Sequence, residues 1–108
     1  MMAVIVGRVV EKFSERPLPY VTIIVTKHRE PDFYMRELSD EFGFFKINVP
    51  KRGVYFLRFR KSGYNDVFVR VKVEGLVPFF VVKMEVNPDL NVYDFSDLQK
   101  ERFIFIPL

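Results

Sequence analysis

Between residues 38 and 64 the side chains alternate in polarity with a period of two, and glycines interrupt the alternation. The runs are Phe44-Phe45-Lys46-Ile47-Asn48-Val49 and Val54-Tyr55-Phe56-Leu57-Arg58-Phe59-Arg60, separated by Pro50 to Gly53. Successive residues of a strand point to opposite faces, so short alternating runs between Gly and Pro fit a half-buried sheet. The stretch predicts the middle of an all-β sandwich.

The pattern extends in both directions. Strands are expected over 3–10, 20–27, 35–39, 44–49, 54–61, 66–74 and 79–86, punctuated by glycines at 7, 43, 53, 63 and 75. A spacing of about ten residues is what a sandwich of many short strands requires. In 20–27, Val21, Ile23 and Val25 share one face and Thr22, Ile24 and Thr26 the other, and this β-branched density marks a central strand. Pro17 and Pro19 stiffen the approach to it. Residues 28–34, with Pro31 and mixed charge, read as an exposed loop. Asp40-Glu41-Phe42-Gly43 reads as a turn in which Asp40 bonds its own downstream backbone and Gly43 takes positive φ.

At 108 residues the chain has the length of one domain, expected over 1–86, with an extension over 87–108. In the extension, Ser96 and Gln99 are spaced to cap a short helix over 97–102. The apolar run Phe103-Ile104-Phe105-Ile106 that follows is expected to dock on its own domain or on another copy. The longest uncharged apolar run, 76–82, is interrupted by Pro78 and is too short to span a bilayer. The N-terminus has no basic segment before its apolar residues and reads as a strand, so the expected location is cytoplasmic. Many Lys, Arg and Glu with a single Gln and no Cys lean toward a thermophilic source.

Five pieces of the sequence occur in a suggestive order. They are Gly7-Arg8-Val9-Val10, Arg16-Pro17-Leu18-Pro19-Tyr20-Val21-Thr22-Ile23, Ser39-Asp40-Glu41-Phe42-Gly43-Phe44-Phe45-Lys46-Ile47, Pro50-Lys51-Arg52-Gly53-Val54-Tyr55-Phe56-Leu57 and Gly63-Tyr64. In that order the chain resembles the carboxypeptidase regulatory-like domain over about residues 4–86. The resemblance implies a seven-stranded, prealbumin-like Greek-key sandwich that works as a non-catalytic module, and it transfers no active-site residues. Tyr20 stands where that family has a small glycine, which predicts an altered turn into the second strand. A hydroxyisourate hydrolase of the transthyretin-like kind would share the general fold. Such an enzyme relies on several histidines and a distinctive C-terminal motif, and this chain has one histidine and ends Phe105-Ile106-Pro107-Leu108.

Reactive groups are few. The absence of Cys removes disulfides, thiolate nucleophiles and Cys-based zinc sites, and a single His28 cannot build a histidine metal triad. His28, among Lys27, Arg29 and Glu30, reads as a solvated loop residue, and Glu37, Asp40 and Glu41 read as turn chemistry. No cofactor or metal is expected. The informative feature is a surface. If Tyr55, Leu57 and Phe59 face the core, Phe56, Arg58 and Arg60 face outward. The following strand then adds Phe68, Arg70 and Lys72, with Phe44 and Lys46 expected to join from strand four. Contiguous aromatic residues among cations suggest a contact surface.

The expected function is a non-enzymatic interaction or assembly module with a protein partner, self-associating through this face or through Phe103 and Phe105 in the tail. A polyanion- or carbohydrate-binding module using the same face is the alternative. A net charge of only +3 and the lack of a recognition motif argue against nucleic acid.

Overall fold

The computed structural model describes residues 3–88. Its seven strands are β1 (Ala3–Glu11), β2 (Thr22–Lys27), β3 (Glu30–Leu38), β4 (Phe44–Val49), β5 (Gly53–Arg60), β6 (Val67–Val73) and β7 (Phe80–Met84). They form a three-stranded sheet in the order β4-β1-β7 and a four-stranded sheet in the order β3-β2-β5-β6. Neighbours are antiparallel except β1 and β7, which run parallel. The chain crosses between sheets after β1, β3, β4 and β6. The expected two-sheet Greek-key sandwich is the fold found.

Period-two alternation builds the core. Ile23 and Val25 of β2, Phe45, Ile47 and Val49 of β4, and Tyr55, Leu57 and Phe59 of β5 are buried between the sheets, with Ile5, Val9, Val82 and Met84 from β1 and β7. The Phe45 ring spans the two layers, edge-on to Phe59 at 5.3 Å between centroids and to Phe80 at 5.7 Å. That position exists because residue 7 has no side chain: a Cβ on Gly7 would collide with the Phe45 ring and the Phe80 carbonyl oxygen.

The turn before β4 forms as expected. Asp40 Oδ1 accepts from the backbone N–H groups of Phe42 (2.8 Å) and Phe44 (2.9 Å), and Gly43 sits at φ +84°. The β5 and β6 strands are antiparallel neighbours through the turn that follows Arg60.

Three expectations are corrected. Residues 30–34 belong to β3, joined to β2 by the two-residue link His28-Arg29, with Arg29 at φ +64°. As an edge strand β3 pairs only with β2, so Pro31 and the charged residues are tolerated without a second ladder partner. Secondly, β4 lies in the three-stranded sheet, which puts Phe44 and Lys46 on the opposite side of the molecule from Phe56 and Phe68. A linear alternation assigns a residue to a face of its own strand but not to a sheet. Thirdly, Tyr20, expected within the second strand, precedes β2 and adopts φ +54°, a left-handed backbone that favours glycine. The helix cap at Ser96 and the apolar run containing Phe103 and Phe105 lie outside the described residues.

Candidate functional site

The outer face of the four-stranded sheet gathers six of the expected residues. The β5–β6 ladder sets Phe56 opposite Arg70, Arg58 opposite Phe68 and Val54 opposite Lys72. Arg60 follows at the end of β5, opposite Thr22 of β2. Phe68 is 70% exposed with the Arg58 guanidinium 5.4 Å from its ring centroid, and Phe56 meets His28 edge-on at 6.0 Å.

The cations on this face differ in how far their charge is already engaged. Arg58 donates from Nε to Asp66 Oδ2 (2.8 Å), and Arg58 Nη2 and Arg60 Nε lie 2.7 Å and 3.6 Å from the same oxygen. Lys72 lies 3.4 Å from Glu74. Arg36 and Arg70 have no hydrogen-bond or ion-pair partner among the described residues. Charge on this face is therefore only partly balanced from within.

One end of the face is concave, a cleft of about 600 Å³. Its floor is Thr22 and Ile24 of β2, with Tyr34 and Arg36 of β3 on one side and Arg60, Tyr64 and Asp66 on the other. Tyr20 stands at the end where β2 begins, 61% exposed. A left-handed backbone costs an L-residue roughly 1–2 kcal/mol that glycine does not incur. The surroundings hold it there. Tyr20 N donates to Ser39 O (3.2 Å), Lys61 Nζ donates to Pro19 O (2.8 Å), and buried Ser39 bridges the turn by accepting from Val21 N (2.8 Å) and donating to Leu18 O (3.0 Å).

Sequence reasoning missed this cleft for identifiable reasons. Reading 28–34 as a loop hid the alternation that sends Tyr34 outward on the same face as Arg36 of the expected third strand. Asp66 was available: the β5–β6 register pairs Phe59 with Val67, which sets Asp66 beside Arg60. Tyr20 was noticed only as a departure from glycine. Among the described residues no group of three or more His, Cys, Asp or Glu comes together as metal ligands.

No family model matches the sequence, and no curated protein matches it. Solved structures do share the fold. A streptococcal ancillary pilin aligns with a TM-score of 0.65 at 18% identity, covering 81% of this chain and 30% of the pilin. Hydroxyquinol 1,2-dioxygenase from Pseudomonas putida aligns at 0.62 and 13% identity, covering 81% of this chain and 57% of the enzyme. A candidate carbohydrate-binding protein from Bacteroides uniformis aligns at 0.61 and 16% identity, covering 76% and 40%. The chain thus spans less than two thirds of each of these proteins. The class that fold and topology define is a β-sandwich of the transthyretin, or prealbumin-like, type. At these identities the likeness is one of fold, and the same fold serves a pilin and an oxygenase.

Proposed function

We propose that this chain is a non-catalytic interaction module of the carboxypeptidase regulatory-like type, working through the outer face of the four-stranded sheet. It self-associates through that face or through the segment carrying Phe103 and Phe105. The observation that carries this reading is the contiguous patch of Phe56 and Phe68 interleaved with Arg70, whose charge has no partner among the described residues. Exposed aromatic rings next to arginine are the composition of interface cores. The described fold ends beside this sheet: Val86 bridges to Tyr64, and Asn87 Nδ2 bonds Asn65 Oδ1 at 2.7 Å.

Light scattering on the full chain across a concentration series tests the proposal. The expected result is a mass at least twice that of one chain, reduced to one chain by Phe56→Ser with Phe68→Ser. Phe103→Ser with Phe105→Ser separates tail from face. A parent chain that stays monomeric throughout the series removes self-association and leaves the patch to a foreign protein.

A further inference from the structure

We propose that the cleft at the Tyr20 end of this face binds an acidic sugar, a hexuronate unit within a glycan chain. The inference deepens the interaction reading above and rests on the same sheet face, but it uses different residues from the aromatic patch.

The first observation is conformational. Tyr20 holds φ +54°, where glycine would sit without strain, and yet its ring is spent on the cleft and not on the core. Strained backbone persists where its surroundings over-determine it, and it concentrates at ligand-binding positions. The buried Ser39 bridge and the Lys61 latch on Pro19 supply that constraint.

The second observation is the chemistry of the walls. Tyr20 and Tyr34, both exposed, offer an apolar ring and a hydroxyl, which suits the mixed C–H and O–H faces of a pyranose, and Tyr64, packed partly against the core, lines the same space. Arg36 and Arg60 present guanidinium groups to the same space, and a planar fork is matched to a carboxylate. Asp66 is the one carboxylate in the lining; it bonds Arg58, lies 3.6 Å from Arg60 Nε, and can accept from sugar hydroxyls. A volume of about 600 Å³ has room for a small oligosaccharide.

The third observation selects sugar over acidic peptide. The floor, Thr22 and Ile24, lies on β2, whose backbone is paired on both sides in the β3-β2 and β2-β5 ladders. A peptide laid across it would find no backbone partners for its own amides, whereas sugar hydroxyls pair with side chains.

Titration of the full chain with trigalacturonate, galactotriose and triglutamate, followed by calorimetry and amide chemical shifts, tests this. Trigalacturonate is expected to bind and to shift amides of Tyr20, Arg36 and Tyr64. Arg36→Ala and Tyr20→Gly should each weaken it about tenfold, a loss of about 1.4 kcal/mol. Tyr20→Gly should do so without lowering Tm, which separates a lost ligand contact from a damaged fold. Equal affinity for galactotriose, tighter binding of triglutamate, or no binding of trigalacturonate overturns the proposal. So does parent affinity in both variants. Phe56→Ser with Phe68→Ser should keep sugar binding. A parent chain that stays monomeric yet binds trigalacturonate removes the self-association reading and leaves the cleft, whereas trigalacturonate failing against a parent chain that assembles removes the cleft alone.

Discussion

On the outer face of the three-stranded sheet the Arg8 guanidinium lies 4.4 Å from the Phe44 ring centroid, and Arg8 Nε donates to the Phe42 carbonyl at 2.9 Å. Phe79 leans on the same ring at 6.3 Å. On the four-stranded sheet Phe68 stands 70% exposed, and Arg36 and Arg70 are unpaired among the described residues. Both faces hold phenylalanine and arginine, so composition does not separate them. What separates them is how far each face has already engaged its own groups. On one, Arg8 caps phenylalanine and bonds backbone; on the other, Arg58 caps Phe68 and pairs with Asp66, and Arg36 and Arg70 are left for something outside.

The comparison can be broken or sharpened by experiment. The largest effect is expected from Gly7→Ala in β1, where the new Cβ meets the Phe80 carbonyl and the Phe45 ring. It should destabilise the fold by about 3 kcal/mol, read from denaturant midpoints. Such a loss would confirm that the three-stranded sheet is packed to its limit beneath its outer face. Ser39→Ala strips a donor and an acceptor from the turn that holds Tyr20, leaving Val21 N and Leu18 O buried without that partner. The cost should be roughly 2 kcal/mol, with weakened trigalacturonate binding as a second readout.

Arg8→Ala should cost about 1 kcal/mol and leave the mass in solution unchanged, since Arg8 works within its own face. If it abolishes assembly instead, the two faces have been assigned the wrong way round. The smallest effect concerns acid. Glu11 at the end of β1 is held below the ordinary 4.5, first by the backbone N–H of Ser14 and then by the Ser14 side chain. Glu30 of β3 is held below 4.5 mainly by its hydrogen bond from Lys27. A carboxylate with a depressed native pKa stabilises the fold fully above its unfolded value and loses that contribution as pH falls through the native one. Tm should therefore decline below pH 4.5, and Glu11→Gln should make that decline shallower.

Much of the fold was legible because β structure writes a period of two into the chain. The limits of β4 and the core residues of β2, β4 and β5 follow from alternation and from Gly and Pro punctuation. So did the outward set on β5 and β6, because a short turn after Arg60 leaves hairpin pairing as the simplest geometry. The candidate cleft was not legible. Its residues come from three strands and two turns, and Tyr34 lies in a segment whose proline and charges mimic a loop.

The sequence by itself determined the number of strands, their inward faces and the aromatic-basic stripe, since these depend on neighbours within a few residues. Only the tertiary structure decided which sheet each strand joined. That choice moved Phe44 away from Phe56 and Phe68, and set β5 beside β2 so that Tyr20, Tyr34 and Tyr64 line one cleft. Strand pairing between distant segments is set by the register and packing of whole sheets, and no local pattern encodes it.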